Sequence, residues 1–189
     1  MSTILQLVGF KVDKEFFGVP IDKVKEIVRV PDITAVPDTP DFLEGVINLR
    51  GRIVPVVDMR TRIGLPTMER VRTNRVLILD IESRTVGLIV DSASEILKLP
   101  DEQIESTPEL VSSVGAEYVT AVGKLDDKLI VLVDIMRLLS ADEMGRLDAA
   151  RKKAELTAST GKALEEKTGK TKKSKPRKKA LKEGTEQKG

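Results

Sequence analysis

Residues 18–32 read GVPIDKVKEIVRVPD, and residues 87–101, which begin 69 positions later, read GLIVDSASEILKLPD. Six of the fifteen aligned positions are identical, including the opening glycine and the closing Pro-Asp. A second repeated segment follows each copy. The segment RIVPVVD at 52–58 matches KLIVLVD at 128–134, with an offset of 76. The chain therefore states one pattern twice, and we predict two similar lobes built from a duplicated unit.

Short segments rich in Val, Ile and Leu, separated by charged or turn-forming residues, predict β-strands. These segments cover 4–12, 15–20, 52–57, 75–81, 85–90, 118–125 and 128–133. Charged residues at 11–15 and 124–128 interrupt paired apolar runs, which predicts two hairpins. The expected fold class is mainly β, with small barrels rather than an open parallel sheet.

Two helices are also expected. The stretch 39–44 has a capping threonine, a proline at the first helical position and a glycine behind it, which predicts one short helix. Ser140 and Glu143 form a capping-box pattern, and the apolar spacing behind them predicts a C-terminal helix over 140–156. Large apolar side chains are few from 157 to 189, so we expect a disordered basic tail there.

The net charge of +2 conceals two parts of opposite sign. Residues 1–145 hold 17 Lys or Arg and 24 Asp or Glu, a net of −7, whereas residues 146–189 hold 15 and 6, a net of +9. The run KTKKSKPRKK at 170–179 suits a solvated extension, a weak contact with anionic lipid, or nonspecific nucleic-acid binding. A small-barrel protein that binds nucleic acid through this tail is the alternative function, although the acidic body and the lack of interleaved aromatic residues disfavour it.

The chain contains neither histidine nor cysteine. Their absence excludes imidazole acid–base catalysis, thiolate nucleophiles, disulfides and the usual zinc, haem and iron–sulfur ligand sets. Asp22 and Asp91, like Asp58 and Asp134, recur at matched positions, but each follows an apolar strand, where an aspartate caps the next turn. We expect a non-enzymatic protein without catalytic residues, cofactor or metal. With no signal-like start and no spanning segment, we expect it to be cytoplasmic.

The segment FLEGVINLRGRIVPVVD at 42–58 places a Leu-Arg-Gly turn between two apolar runs. Gly51 can adopt positive φ, so we predict a tight turn that lifts Arg50 to the surface. The second copy has 120–124 in place of the Asn48–Gly51 stretch and diverges there, which indicates a task assigned to one lobe. A simply solvated arginine in an ordinary hairpin is the competing interpretation.

Four stretches together make the chain resemble the CheW-type coupling proteins of bacterial chemotaxis. They are GVINLRG at 45–51, IVPVVD at 53–58, TVGLIVD at 85–91 and GKLDDKLI at 123–130. The resemblance runs from about residue 5 to residue 139 and implies two intertwined five-stranded SH3-like barrels. The expected organisation is therefore an adaptor domain over 1–139, the C-terminal helix and the tail.

The resemblance also implies a role. Proteins of this family join the cytoplasmic tips of methyl-accepting chemoreceptors to the histidine kinase CheA, through the kinase's regulatory domain of the same fold. Other CheW-like domains can join them in array rings, and membrane contact is then indirect through the receptors. No specific nucleic acid is implied.

Site residues can be carried over by motif. The receptor or kinase interface would include the signature turn and its preceding glycine, namely Gly45, Asn48, Leu49, Arg50 and Gly51. An apolar groove for the receptor's helical hairpin would include Ile21, Val24, Ile27 and Val90. Aliphatic residues in such positions more often serve only the core, so the groove is the weaker of the two expectations.

Overall fold

The computed structural model describes residues 3–106 and 116–168. The strands are β1 Ile4–Val12, β2 Glu15–Pro20, β3 Val24–Arg29, β4 Leu43–Leu49, β5 Arg52–Asp58, β6 Arg75–Ile81, β7 Arg84–Val90, β8 Ser92–Pro100, β9 Ile104–Ser106, β10 Val119–Leu125 and β11 Lys128–Val133. The helices are α1 Met59–Arg62, α2 Ile135–Leu138 and α3 Ala141–Thr168, and 3-10 turns lie at Ile21–Lys23, Asp101–Gln103 and Ala116–Tyr118.

The described strands form two sheets that follow one plan. The sheet of lobe I has the order β8-β1-β2-β11-β10-β9, and the sheet of lobe II has the order β3-β6-β7-β5-β4. The two orders coincide when each strand is matched to its repeat, with the short β9 added at one edge. Each sheet contains one parallel pair, β11 with β2 and β5 with β7. The predicted mainly β fold with two similar lobes is confirmed.

The lobes are intertwined because the two copies exchange strands. The hairpin β1–β2 of the first copy pairs with strands of the second copy, and the hairpin β6–β7 of the second copy pairs with strands of the first. Among the described residues, lobe I has six strands rather than the expected five because the short β9 pairs with β10 at one edge, and lobe II has five. Each lobe needs residues from both halves of the chain.

Three apolar clusters hold this arrangement together. One lies in each lobe, and a larger one lies between the lobes and beneath α3. The hairpin strands contribute to two clusters at once, since Leu7 belongs to the core of lobe I and its neighbour Val8 to the shared core. Strands buried on both faces are continuous apolar runs, which explains why they could be recognised in the sequence.

Every predicted strand is present, with each bound within one residue of the prediction. The two predicted hairpins connect β1 to β2 and β10 to β11. Strands β3, β4, β8 and β9 were not predicted. In β3, half-buried residues alternate with the exposed Lys25, Ile27 and Arg29, so the segment lacks the continuous apolar run by which the other strands were found.

The predicted short helix at 39–44 is wrong. A single turn forms there, with the Leu43 N–H donating to Pro40 O at 2.9 Å, and Leu43 then enters β4. The hydroxyl of Thr39 donates to Val36 O at 2.9 Å instead of capping a helix. Pairing of β4 with β5 outweighs the local helix signal, as tertiary context often does.

The C-terminal helix begins as predicted and ends later. Its capping box is confirmed, because Ser140 N donates to Glu143 Oε2 at 2.8 Å and Glu143 N donates to Ser140 Oγ at 3.3 Å. The compact body extends through Glu155, and residues from Leu156 form a separate unit. The helix continues to Thr168, because adding turns to an existing helix requires no new nucleus. The predicted end of the helix at residue 156 is therefore too early, and residues 169–189 of the predicted tail lie outside the described residues.

Candidate functional site

The turn between β4 and β5 projects an arginine from lobe II. Arg50 and Gly51 occupy its two central positions with φ of 52° and 85°, and the flanking Leu49 and Arg52 pair across the hairpin. Positive φ at both central positions is the geometry of a type I′ turn, which glycine adopts freely and arginine adopts at an energetic cost. The structure thus has the predicted tight turn, and the Arg50 side chain is 77% exposed.

Arg50 forms a bidentate ion pair with Glu26 on β3. The two hydrogen bonds join Nη1 to Oε1 at 3.0 Å and Nη2 to Oε2 at 2.7 Å. Strands β3 and β4 are the two edges of the lobe II sheet, and Thr34, in the segment that follows β3, forms an antiparallel bridge with Val46 of β4. The ion pair therefore lies at the seam where the curled sheet closes, and it fixes the exposed guanidinium in one orientation.

The other predicted residues of this motif shape the hairpin. Asn48 Oδ1 accepts a hydrogen bond from Gly51 N at 2.8 Å across the turn. Gly45 has φ of 150°, and a Cβ at this position would collide with the backbone oxygen of Thr34. Leu49 packs against the core of lobe II. Of the five predicted interface residues, Asn48, Arg50 and Gly51 are exposed, whereas Gly45 and Leu49 support them.

The equivalent hairpin of lobe I lacks this motif. Its turn places Asp126, with φ of 53°, where Arg50 lies in lobe II. The strand register matches Asn48 with Lys124, so the sequence alignment of this motif with 120–124 was displaced. The predicted difference between the two hairpins is nevertheless present, because lobe II has an arginine at this turn position and lobe I has an aspartate.

The four residues predicted to line a groove do not share one accessible surface. Val90 is 1% exposed and lies in the core between the lobes, so its assignment to an open groove is wrong. Ile21 and Val24 are half-buried and pack against the same core. Ile27 is 40% exposed, but it lies on the opposite face of β3 from Val24 because side chains alternate along a strand.

A buried ion pair that sequence reasoning missed joins the two lobes. Arg60 on α1 donates from Nε to Asp91 Oδ1 at 2.8 Å and from Nη2 to Asp91 Oδ2 at 2.7 Å. Asp13, at the tip of the β1–β2 hairpin, donates its N–H to Asp91 Oδ2 at 2.7 Å. The hydrogen bonds from Arg60 lower the pKa of Asp91 below its ordinary value. A hairpin tip of lobe I is thereby attached to lobe II.

A second arginine of α1 makes another such attachment. The Arg62 guanidinium lies between two rings, 5.2 Å from the centroid of Phe42 and 4.9 Å from that of Tyr118. Its Nε donates to Leu138 O at 2.6 Å, and its Nη2 donates to Glu143 Oε2 at 3.1 Å. Burial raises the pKa of Tyr118 to about 12. The sequence offered one signal for these arginines. With the offset of 76, Arg60 and Arg62 align with Met136 and Leu138, so the first copy has two charged residues where the second copy has apolar ones.

The recurring aspartates after β5 and β11 are helix caps, as predicted. Asp58 Oδ1 accepts from Arg60 N, and Asp134 Oδ1 accepts from Met136 N, both at 2.8 Å. Within residues 3–106 and 116–168, no group of three or more Asp or Glu residues is arranged to hold a metal ion. Across the same residues, no helix has the length and apolar character needed to cross a membrane.

The body of the chain matches a family of chemotaxis proteins. The model of the CheW-like domain matches residues 6–143. The chemotaxis protein CheW of Klebsiella aerogenes is 37% identical over 161 residues, covering 80% of this chain and 97% of that protein. The chemotaxis protein CheW of Treponema pallidum is 32% identical over 146 residues, covering 75% of this chain and 86% of that protein. The crystal structure of the scaffolding protein TtCheW from Thermoanaerobacter tengcongensis superposes with a TM-score of 0.68 and 33% identity, covering 75% of this chain and 96% of that one.

Proposed function

The chain belongs to the CheW-like family, and from this membership we propose that it is a non-enzymatic adaptor of bacterial chemotaxis that couples methyl-accepting chemoreceptors to the histidine kinase CheA. The observation that carries the proposal is the extent of the match. The family model covers residues 6–143, which include all the described strands of both lobes apart from the first two residues of β1. A solved scaffolding protein of the same family shares this architecture over nearly its whole length.

The geometry of lobe II supports Arg50 as a contact of the signalling interface. Its guanidinium is exposed yet held by Glu26, so little side-chain entropy is lost when a partner binds it. Asn48 fixes the turn beneath it. An exposed arginine that is already held in one orientation suits a protein partner, because arginine is enriched among the residues that dominate binding at protein interfaces.

The attachment of the lobes through Arg60 and Arg62 supports an adaptor that acts as one rigid piece. A protein that binds two partners at once transmits force between them only if its own lobes hold their relative position. The partners we propose are the receptor tips and the regulatory domain of CheA, with other CheW-like domains as neighbours in an array. Its place is then the cytoplasmic side of the membrane, reached through the receptors.

Co-sedimentation tests the proposal. The purified chain is mixed with a receptor signalling fragment and the CheA kinase of the same cell, and kinase activity is measured in the pellet. Arg50→Glu should reduce recruitment about tenfold or more, because it places like charges opposite Glu26 and removes the anchor. Arg52→Glu, two residues away and without a role in the Glu26 pair, is the matched control.

The charge exchange Arg50→Glu with Glu26→Arg separates two roles of the pair. Recovery of recruitment by the double variant would show that the ion pair acts by shaping the seam. Continued loss would show that the Arg50 guanidinium itself contacts a partner. Failure of the folded wild-type chain to bind either the receptor fragment or CheA would refute the adaptor role.

The basic run at 170–179 is an additional candidate contact for anionic lipid. This run lies outside the described residues. The alternative function, nucleic-acid binding, rests on the same run. Electrostatic attraction to anionic headgroups supports the lipid contact, since each basic residue near such a surface contributes about 1 kcal/mol. This contact would hold the adaptor near the receptor array without replacing its protein partners.

A further inference from the structure

An apolar pocket of about 170 Å³ opens where lobe I meets lobe II. Its walls come from β1, β2, β6, β10, β11 and α2, and include Leu5, Leu7, Leu132 and the 43% exposed Met136. Its charged lining residues are Lys23, Asp80 and Asp134. The pocket is therefore apolar inside and carries a net charge of −1 from its ionisable side chains.

The duplication supplies a counterpart of this pocket in lobe II, and there the space is filled. The offsets of 76 and 69 match Asp134 with Asp58, Thr120 with Glu44 and Leu5 with Asn74. At the lobe II site, Arg70 donates from Nη2 to Asp58 Oδ2 at 2.6 Å and lies 3.2 Å from Glu44 Oε1. An arginine of the chain itself thus occupies the equivalent position.

Arg70 comes from the loop that follows α1. In the second copy the chain leaves α2 and enters α3 almost at once, and the residues that line the lobe I pocket end at Met136. The equivalent aspartate, Asp134, is present in lobe I, where its Oδ1 caps α2. Asp134 Oδ2 is 3.6 Å from Nε of Arg137, beyond hydrogen-bonding distance, and the Arg137 side chain is 63% exposed.

Asp80 adds an independent indication of what the pocket takes. Its Oδ2 pairs with Lys25 Nζ at 3.0 Å, whereas its Oδ1 is buried without a hydrogen-bond partner. A buried carboxylate oxygen without a donor is energetically unfavourable. A guanidinium in the pocket would bring positive charge and N–H donors close to this carboxylate, and an arginine side chain also supplies an aliphatic stem for the apolar wall.

We propose that this pocket binds an arginine side chain presented by a partner protein. The aliphatic stem packs against Leu5, Leu7 and Met136, and the guanidinium pairs with Asp134 and reaches the rim that includes Asp80. The partner's arginine takes the place in lobe I that Arg70 takes in lobe II. The inference does not depend on the adaptor role, because it rests on the duplication and on the chemistry of the pocket.

Disulfide tethering tests this proposal. Because the chain contains no cysteine, an introduced cysteine is the only thiol that can react. The variant Lys23→Cys is equilibrated under a mild reductant with two thiol-bearing probes, one an arginine amide and the other the isosteric but uncharged citrulline amide. Mass spectrometry then gives the ratio of the two adducts. The arginine probe should be favoured about tenfold, as expected for a charge-assisted hydrogen bond.

Matched variants distinguish the pocket from general acidity. Lys152→Cys, which removes the same charge at an exposed site on α3, should show a ratio near one. Adding Asp134→Asn to Lys23→Cys keeps an oxygen to cap α2 and should remove most of the preference, and Asp80→Asn should reduce it. Equal labelling by the two probes, the same ratio at both cysteines, or a preference that survives both aspartate changes would each overturn the proposal.

Discussion

One oxygen of Glu143 serves both Arg62 and the start of α3. Oε2 accepts from Arg62 Nη2 at 3.1 Å and from Ser140 N at 2.8 Å. The carboxylate therefore caps the C-terminal helix and holds an arginine from the first copy of the repeat at the same time. Formation of the helix terminus and attachment of α1 to it are coupled through a single atom.

Replacing Glu143 should separate these two functions. Glu143→Gln keeps an oxygen for the capping box and loses the charge, so we expect the free energy of unfolding to fall by about 1 kcal/mol. Glu143→Ala loses both and should fall by about 2 kcal/mol. Urea denaturation provides the measurement, with the exposed Glu105→Gln as control. Equal effects of glutamine and alanine at position 143 would contradict the dual role.

The Arg60–Asp91 pair predicts how acid destabilises the protein. The pKa of Asp91 is lower in the folded state than its ordinary value of 3.8, so the stability from this pair is present above that pH and is lost as pH falls below it. Asp91→Asn should reduce stability at neutral pH by about 2–3 kcal/mol and flatten the acid limb of the curve. Parallel curves of stability against pH for the two proteins would count against this account.

Tyr118 predicts a second loss of stability in alkali. Its pKa is raised to about 12 in the folded protein against 10.0 ordinarily, so the unfolded chain releases the phenolic proton first and stability falls as pH rises from 10 to 12. Tyr118 is the single tyrosine and there is no tryptophan, so ultraviolet difference absorbance follows it directly. The urea-unfolded chain is the control, and a folded midpoint near 10 would disprove the shift.

Gly45 and Gly51 should differ in their tolerance of a side chain. Gly45→Ala forces a Cβ into the backbone oxygen of Thr34, and we expect a loss of about 2–3 kcal/mol. Gly51→Ala meets no atom within 4 Å, so it should lose only about 1 kcal/mol from its positive φ. Thermal unfolding of both variants gives the comparison. A larger loss at Gly51 would mean that the closing contact with Thr34 is not tight.

The basic tail should bind anionic vesicles. Residues 169–189 hold nine Lys or Arg and two Glu, so their deletion should abolish binding to phosphatidylserine vesicles at low salt and leave binding to CheA unchanged. Replacing the nine basic residues with glutamine is the matched control, since it keeps the length. Vesicle binding that persists in both variants would exclude the tail as a membrane contact.

The elements that could be predicted from the sequence are those set by local pattern. Strands buried on both faces are continuous apolar runs, and the capping box at Ser140 and the turn at Gly51 depend on neighbouring residues alone. The duplication then indicated two lobes. Strand β3 escaped prediction because it is an edge strand in which half-buried and exposed residues alternate, with charged side chains at three of its six positions.

The site could be predicted in part for the same reason. Arg50 was recognised because its turn is local, whereas its partner Glu26 lies 24 residues away and only closure of the sheet brings them together. Val90 was misplaced because an aliphatic residue in a strand does not reveal which face of the sheet meets solvent. Arg60 was missed because the exchange of strands brings Asp91 of the second copy next to it. Arg70 was missed because the loop after α1 has no local pattern that shows its return to Asp58.

The exchange of hairpins between the copies means that one repeat alone has no complete sheet of its own. Two identical single-repeat chains would each donate β1–β2 or its equivalent to the other and would build the same pair of lobes as a symmetric dimer. The present chain is the covalently joined form of such a dimer. Joining the copies allowed the two halves to differ. Lobe II could then have the Arg50 turn and a site filled by Arg70, while the equivalent pocket of lobe I stayed open.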